Sequence, residues 1–252
     1  MSTPKHVFVG MPVYDSWKDK FALSLMQSFA GAPCPMTLFS LCGDSLIPRA
    51  RNNLAAEFLD SPCSHLLFLD TDLEFNPSDL HKLLKHDLDI VGGVYYQKRY
   101  DRRLAVVNGI EGETLGKDGL IKVRHVGTGM MLIRREVFAS IAPLVPSYHT
   151  CDDEKKQRRL HEFFPIGVHD DYYESEDWAF CRLARQVGID VWADTSIVAA
   201  HHGAAVYPSP VVEAMRQRLD AALIAARGLK ASDATEELLA ILSGTIEEPG
   251  RR

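Results

Sequence analysis

The chain has 252 residues, of which 46% are hydrophobic and 25% are charged. These fractions are typical of a soluble globular protein and exclude a disordered chain, a coiled coil and a membrane-spanning protein. With 28 basic and 34 acidic side chains, the formal charge is -6 at pH 7. This balance disfavours a broad nucleic-acid-binding surface, because phosphate binding needs clustered Lys and Arg.

The cysteines and the first residues of the sequence indicate the cellular compartment of the protein. The five cysteines are odd in number and form no Cys-x-x-Cys pair. The sequence therefore predicts neither a disulfide framework nor a thiolate zinc site. The polar start leads straight into a short apolar run, unlike a signal peptide. We expect a cytoplasmic protein with no integral membrane segment, formed by one large domain or by one domain with a small appendage.

Strand and helix patterns alternate through the first hundred residues. Strands are predicted at residues 6–11, 36–42, 66–69 and 90–96, the first of them ended by Pro12. The intervening helices are predicted over 17–29, after a cap at Asp44 or Ser45, and from Pro77 with Asn76 as its cap. This order predicts a parallel sheet with helices on both faces.

The pattern changes in the second half of the chain. Residues 104–110 and 120–126 predict an antiparallel hairpin around Gly116 and Gly119. A core strand at 130–133, a short helix from Arg135, a helix at 175–187, short strands at 191 and 197–200, and helices at 211–226 and 234–242 follow. Residues 143–175 show little periodicity, and so long a loop is typical of a lid or binding segment. A poorly ordered surface segment is the alternative.

The most informative stretch is HLLFLDTDLEF at residues 65–75. Its apolar strand ends in Asp70, Thr71 and Asp72, and ligands bind at the carboxyl ends of strands in open α/β sheets. Two carboxylates at this spacing can converge on one hard cation, which would neutralise a diphosphate. The alternative is a pair of turn residues at a helix start. We interpret the second Asp-x-Asp, Asp87 and Asp89, as solvated turn and capping residues.

Three more stretches accompany FLDTDLEF in a fixed order. They are LIPRARNNLAAEFL at 46–59, VGTGMMLIRREVF at 126–138 and SEDWAFCRLARQVGIDVWADTSIVAAHHG at 175–203. With the opening strand and its loop Gly10-Met11-Pro12-Val13-Tyr14, the set resembles GT-A fold glycosyltransferases, especially the family 2-like group. The resemblance covers roughly residues 6–207.

The resemblance implies a fold and a division of the chain. The implied fold is α/β and Rossmann-like, with a mostly parallel sheet flanked by helices, an antiparallel hairpin and a C-terminal helical tail. Residues 1–207 would form the GT-A catalytic domain, with the nucleotide-sugar half at about 1–100 and the acceptor half at about 101–207. Residues 208–252 would form a helical extension, packed on the sheet or at a dimer contact.

The resemblance also implies a metal site. Asp70 and Asp72 match the D-x-D motif that holds Mn²⁺ or Mg²⁺ on the diphosphate of a sugar nucleotide. The late His-x-Gly, here His201 to Gly203, implies His201 as a further ligand of the same ion. His202 falls on the variable position, and adjacent residues of a strand point in opposite directions. The alternative is that both histidines are half-buried polar residues.

The acidic pair Glu176-Asp177 resembles the E-D pair of the family. The resemblance implies that Asp177 is the catalytic base of an inverting enzyme and that Glu176 binds or orients the acceptor. Burial beside Trp178 would raise the carboxylate pKa toward useful values. The alternative is simple charge complementarity with the helix dipole, which stabilises acids in the first helical turn.

A third group of residues would bind the donor. Tyr14 and its neighbours would surround the nucleobase, Asp44 would contact base or ribose, and Arg51, with Arg49 as the fallback, would reach the nucleotide. Gly127 and Gly129 would let backbone approach the donor sugar closely, or would simply form a turn. The implied nucleotide-sugar-binding residues are Pro12, Val13, Tyr14, Asp44, Arg51, Asp70, Thr71, Gly127, Thr128 and Gly129.

The expected reaction is metal-dependent, inverting transfer of a sugar from a nucleoside diphosphate-sugar, with UDP favoured, to an acceptor hydroxyl. The alternatives are a retaining GT-A enzyme and a catalytically silent nucleotide-sugar-binding protein. Nucleotidyl transfer is disfavoured because no Gly-rich loop with Arg and Lys follows Met11. The acceptor class stays open among saccharides, proteins, small molecules and modified nucleic-acid bases. DNA is not favoured, because a short basic cluster is usually a solvated surface; here it comprises Lys155, Lys156, Arg158 and Arg159.

Overall fold

The computed structural model describes residues 4–98, 105–111, 119–150, 158–197, 199–203 and 206–207. The chain divides into two units, Met1–Ser209 and Pro210–Arg252, and every described residue belongs to the first. The helices predicted at 211–226 and 234–242, and with them the extension at 208–252, lie outside the described residues. Lys155, Lys156 and Gly116 lie outside them as well.

Strands and helices of the described residues follow in this chain order. They are β1 (Val7–Val13), α1 (Asp19–Ala30), β2 (Met36–Cys42), α2 (Ile47–Asp60), β3 (His65–Leu69), β4 (Leu73–Phe75), α3 (Asp79–His86), β5 (Ile90–Gly93), β6 (Val107–Glu111), β7 (Leu120–Val126), β8 (Met130–Arg134), α4 (Arg135–Ile141), a 3-10 helix (Ala142–Leu144), β9 (Ser147–His149), β10 (Arg159–His161), β11 (Gly167–His169), β12 (Tyr172–Glu174), α5 (Glu176–Gln186), β13 (Val191–Asp194), β14 (Ala199–His202) and β15 (Val206–Tyr207).

An eight-stranded mixed sheet forms the centre, in the order β2-β1-β3-β8-β5-β13-β7-β6. Strands β1, β2 and β3 pair in parallel, as do β5 and β13, whereas β8 and β7 pair antiparallel with each of their neighbours. Six of its eight strands therefore point the same way. This confirms the predicted mostly parallel sheet, and the pairing of β6 with β7 confirms the predicted hairpin.

The sheet is buried on both faces. Successive residues of β1 and β3 alternate between two apolar clusters, as strand geometry requires, so that Phe8 and Phe68 lie in one cluster and Val9 and Leu67 in the other. The first cluster also contains apolar residues of α2, α4 and α5, and the second contains those of α1 and α3. The predicted arrangement with helices on both faces is therefore confirmed.

Two predictions about single elements were wrong. Strand β1 does not end at Pro12 but continues to Val13, pairing there with β2. Its partner on the other side, β3, pairs only as far as Gly10, so beyond that residue one side of β1 needs no ladder hydrogen bonds and proline is tolerated. Helix α3 begins at Asp79 rather than at Pro77, because Asn76 accepts hydrogen bonds from the Ser78 amide and hydroxyl and forms a turn first.

The stretch at 143–175 is not structureless where it is described. It contains two antiparallel hairpins, β9–β10 and β11–β12. The second closes through Asp170 and Asp171, whose positive φ angles of 49° and 65° suit a two-residue hairpin turn. Hairpins this short cannot be predicted from periodicity, because a three-residue strand is too short to show a clear alternation of apolar and polar residues.

A small sheet brings two distant stretches together. Strand β4, which directly follows Asp72, pairs antiparallel with β14, so that Leu73 lies opposite His201. The His202 amide also donates to the Asp72 carbonyl at 2.8 Å. This pairing places the late histidines beside the acidic turn.

Candidate active site

A cleft of about 550 Å³ opens at the carboxyl ends of β1 and β3, in the size range of small-molecule sites. The predicted residues that line it are Pro12, Tyr14, Arg51, Asp70, Thr71, Asp72 and Glu176. The predicted residues not among its lining are Val13, Asp44, Gly127, Thr128, Gly129, Asp177 and His201. One cavity of the described residues therefore lies at the sheet edge that the strand pattern predicts.

Arg51 connects the acidic turn to helix α5. Its side chain is only 3% exposed, and its guanidinium donates to Asp70 Oδ1 at 3.0 Å and to Glu176 Oε1 at 3.2 Å. Burial alone would lower the pKa of Arg51, but the charges and hydrogen bonds of Asp70 and Glu176 outweigh it and raise the pKa. The guanidinium carbon also lies 5.2 Å from the Phe68 ring centroid. Arg51 is therefore a permanent cation fixed in the wall of the cleft.

Contact of Arg51 with the nucleotide stays a prediction. The Nη1 atom of Arg51 is buried and has no hydrogen-bond partner among the described residues. A buried donor without a partner is costly and calls for an acceptor. The nitrogen Nη1 of this cleft-lining residue thus lacks an acceptor, while Nε and Nη2 hold carboxylates.

Asp72 and His201 face each other across the β4–β14 pairing. His201 Nδ1 lies 2.9 Å from the Tyr96 carbonyl oxygen, and only a protonated nitrogen can donate to a carbonyl. In the neutral ring, Nε2 therefore carries a lone pair, and it lies 3.3 Å from Asp72 Oδ1. That oxygen is buried and accepts no hydrogen bond from the described residues.

This arrangement fits a divalent cation in part. His201 Nε2 and the unpartnered Asp72 Oδ1, 3.3 Å apart, suit a shared metal ion, and the Tyr96 carbonyl fixes the imidazole orientation as second-sphere partners do. Asp70, the third predicted ligand, is held by Arg51 instead. Among the residues that the structure describes, no group of three or more His, Cys, Asp or Glu side chains is placed to hold a metal ion.

His202, the variable position of the motif, has different neighbours. Its Nε2 lies 2.8 Å from Glu74 Oε2, and the residue lines the cleft although His201 does not. The two imidazoles thus point to different carboxylates, as expected for adjacent residues of a strand.

The acidic pair begins helix α5, and its two carboxylates have separate surroundings. Glu176 lines the cleft and is bound by Arg51. Asp177 Oδ1 accepts hydrogen bonds from the Ser175 hydroxyl and, at 2.8 Å, from the Trp178 amide. Burial and then the nearby charge of Glu176 raise the pKa of Asp177, outweighing these hydrogen bonds. A carboxylate with a raised pKa is a better proton acceptor than an ordinary aspartate.

The glycines of the Gly127-Thr128-Gly129 turn permit close packing inside the protein. A Cβ atom on Gly129 would lie 2.1 Å from the Tyr95 hydroxyl oxygen and 3.0 Å from Asp70 Oδ2, and one on Gly127 would lie 3.1 Å from the same hydroxyl. The Gly129 carbonyl also accepts the Asp70 amide at 2.9 Å. In the described structure the close approach is therefore to Tyr95 and Asp70, and contact with a donor sugar stays a prediction.

The Asp44 carboxylate is hydrogen-bonded to residues that follow it closely in the chain. Its carboxylate accepts two hydrogen bonds from Arg49 within 3.0 Å and one from the Leu46 amide at 2.9 Å. The Arg49 hydrogen bond is the main cause that lowers the pKa of Asp44. Asp44 lies next to the end of β1, since the Gly43 amide donates to the Val13 carbonyl at 2.9 Å. Contact of Asp44 with base or ribose stays a prediction.

The cleft contains residues that the sequence analysis missed. Lys98 contacts Asp72 Oδ2 within hydrogen-bonding distance, and Lys18 lines the same cavity. Tyr95 does not line the cleft but is buried with its hydroxyl beside Gly127 and Gly129, and this burial raises its pKa. The sequence signal that could have indicated Lys98 is the polar run that follows β5, since ligand-binding side chains gather at the carboxyl ends of strands. Tyr172 and Tyr173, by contrast, are 76% and 69% exposed and do not line the cleft.

Comparison with solved structures gives distant likenesses. A197 from STIV matches with a TM-score of 0.49 at 20% identity, over 81% of this chain and 94% of that chain. GalNAc-T7, in a structure with UDP, GalNAc and Mn²⁺, matches at 0.42 and 10% identity over 79% of this chain and 44% of its own. S. aureus TarS 1-349, in complex with UDP-GlcNAc, matches at 0.38 and 11% over 75% and 55%.

These neighbours include glycosyltransferases with a GT-A-like fold, GalNAc-T7 and TarS, and the chain spans about half of the length of each. No protein-family model and no curated protein sequence matches the chain. The TM-scores of all three structures are below 0.5. Among the described residues, no helix combines the length and the apolar character that a membrane crossing requires.

Proposed function

We propose that this chain is a metal-dependent, inverting glycosyltransferase that moves a sugar from a nucleoside diphosphate-sugar to an acceptor hydroxyl. One observation carries the proposal: the turn Asp70-Thr71-Asp72 and the first residue of α5, Glu176, line the same cleft at the carboxyl ends of the strands, joined by Arg51. Both residue groups belong to stretches that contribute to the resemblance to GT-A glycosyltransferases.

The proposal assigns the chemistry to the chain's own residues. Asp177 accepts the proton of the acceptor hydroxyl as that oxygen attacks the anomeric carbon from the face opposite the leaving group. Its raised pKa supports this role. Glu176 orients the acceptor, and Arg51 fixes Glu176 relative to Asp70. The unpartnered Nη1 of Arg51 supplies a donor for the departing diphosphate.

The proposed metal is Mn²⁺ or Mg²⁺, with Asp72 and His201 as ligands and Asp70 as a third. When bound, it supplies the positive charge that stabilises the diphosphate leaving group. Tyr14 and Pro12, which line the cleft, are proposed to contact the nucleobase. The β11–β12 hairpin ends directly before Ser175. With Tyr172 and Tyr173 it is proposed to close over the donor and exclude water, which would otherwise hydrolyse it.

The test is release of the nucleoside diphosphate. The protein is incubated with Mn²⁺, with a panel of sugar nucleotides that begins with the UDP-hexoses, and with hydroxyl-bearing acceptors from the open classes, namely saccharides, proteins, small molecules and modified nucleic-acid bases. We expect release of UDP from at least one donor and its loss on removal of the metal with EDTA. Analysis of the product anomer by NMR then separates inversion from retention, since a retaining enzyme needs no base at Asp177.

A second candidate is a nucleotide-sugar-binding protein without catalytic activity. It is favoured by the internal pairing of the cleft carboxylates, because Asp70 and Glu176 are bound by Arg51 and Asp72 by Lys98. Tight donor binding without release of a nucleoside diphosphate from any donor would support this candidate over the enzyme.

A further inference from the structure

Lys98 places a tethered positive charge on the acidic turn. Its Nζ atom contacts Asp72 Oδ2, and its side chain is 35% exposed on the cleft wall. The carboxylate of Asp72 thus has one oxygen on an ammonium group and the other facing the His201 imidazole. A divalent cation that uses Asp72 would have to compete with this ammonium for the same carboxylate.

The two other cationic side chains that line the cleft, Arg51 and Lys18, are not placed to compete with a metal ion for Asp72. Arg51 is 3% exposed and is held by two carboxylates, so it is fixed in the wall. Lys18 lines the cleft, but its described hydrogen bonds are those of its backbone, from its amide to the Thr71 carbonyl at 3.1 Å and from the Ala22 amide to its carbonyl at 3.0 Å. Lys98 has both the contact with Asp72 and a long side chain with a partly solvated end. An ammonium on such a stem can turn from one anion to another within the cavity.

We propose that Lys98 competes with the divalent cation for Asp72 and that, once displaced, it binds the diphosphate of the nucleotide. This proposal rests on the proposed function of the cleft. The metal alone binds weakly, because it has to break the Lys98–Asp72 ion pair. When the nucleotide is present, the displaced ammonium gains a new anionic partner. Metal and nucleotide therefore bind cooperatively, and by linkage each increases the affinity for the other by the same factor.

The experiment measures Mn²⁺ binding by electron paramagnetic resonance of the free ion, without and with UDP. The variants are Lys98→Gln and Lys98→Arg, and the matched control is Lys18→Gln, which removes the same charge from the same cleft. We expect Lys98→Gln to bind Mn²⁺ alone about fivefold more tightly, equivalent to the roughly 1 kcal/mol of a partly exposed ion pair. We expect Lys18→Gln to change this affinity less than twofold and Lys98→Arg to resemble the wild type.

UDP supplies the second measurement. In the wild type, UDP should strengthen Mn²⁺ binding, and in Lys98→Gln this enhancement should fall about fivefold or more. Circular dichroism confirms that each variant is folded. The proposal is overturned if folded Lys98→Gln binds Mn²⁺ no more tightly than the wild type, or if UDP enhances binding equally in both.

The two proposals fail separately. A wild-type protein that binds neither UDP nor UDP-sugars, with or without metal, contradicts the proposed function. A wild-type protein that binds UDP, but whose Mn²⁺ affinity is the same after Lys98→Gln, contradicts only the role of Lys98.

Discussion

Arg51 and Glu176 are 125 positions apart in the chain, and Nε of Arg51 donates to Oε1 of Glu176 across 3.2 Å. The same guanidinium holds Asp70 at 3.0 Å. One buried side chain of α2 therefore joins the acidic turn after β3 to the first turn of α5. The two stretches that carry the proposed chemistry are positioned against each other through Arg51.

Replacement of Arg51 should destabilise the protein far more than replacement of its exposed neighbour. Arg51→Met leaves two partly buried carboxylates without their cation, which typically costs about 3 kcal/mol or more of unfolding free energy. The control is Arg49→Met on the same helix; the Arg49 side chain is 56% exposed, so its ion pair with Asp44 is worth below about 1 kcal/mol. Urea denaturation followed by circular dichroism measures both. Equal losses would contradict the structural role of Arg51.

Asp177→Asn should abolish sugar transfer while leaving nucleotide binding intact. The amide keeps the size of the side chain but cannot accept the acceptor's proton, so kcat should fall by about 10²–10⁴-fold. Calorimetric titration with UDP and Mn²⁺ checks binding, and UDP release checks turnover. Asp190→Asn, at an exposed carboxylate outside both the cleft and the hairpin, is the matched control. Normal turnover of Asp177→Asn would show that Asp177 is not the catalytic base and would favour a retaining mechanism.

The pH dependence of turnover should report the raised pKa of Asp177. A general base acts only when deprotonated, so kcat/KM should fall with decreasing pH, through an apparent pKa above the ordinary value of 3.8. The pH–rate profile of the wild type at saturating metal measures it. A profile that stays flat down to pH 4 would contradict the assignment.

The raised pKa of Asp177 also affects the free energy of unfolding. Because the folded-state pKa lies above the unfolded-state value, the Asp177 charge weakens folding at pH values above both, and this penalty disappears as the pH falls below them. Asp177→Asn should therefore be at least as stable as the wild type at pH 7. Thermal unfolding at pH 7 and pH 4 measures the difference, which should shrink at the lower pH.

His201→Ala and His202→Ala should differ in their effect on metal binding. His201 presents Nε2 to Asp72 Oδ1, whereas His202 Nε2 pairs with Glu74. Loss of a metal ligand should weaken Mn²⁺ binding by about tenfold or more, and His202→Ala should change it much less. Manganese titration with both variants decides between the two histidines. A larger loss in His202→Ala would transfer the ligand role to that residue.

Much of the fold follows from local sequence patterns. The apolar runs of β1, β2 and β3 and the periodicity of the intervening helices predicted a mostly parallel sheet covered on both faces, which is confirmed. The hairpin of β6 and β7 was predicted from two runs around a glycine-rich turn. Element ends were less accurate, as at Pro12, because they depend on which neighbouring strand pairs there.

The acidic turn, the histidine motif and the acidic pair were recognisable in the sequence, because a strand end followed by carboxylates is a local pattern. Their mutual arrangement was not. That Arg51 binds two acids and that Lys98 contacts the carboxylate of Asp72 both depend on contacts across at least 19 positions of the chain. Such contacts arise from strand pairing and helix packing, which no local pattern encodes.

The sequence by itself therefore determined the fold class and the residue types of the cleft. Only the tertiary structure decided which charges neutralise one another and which atoms remain available to a ligand. The physical reason is that burial and pairing set the behaviour of a charged group, and both are properties of the surroundings. Asp70 and Asp72 illustrate this, since one is bound by a buried guanidinium and the other by a partly solvated ammonium.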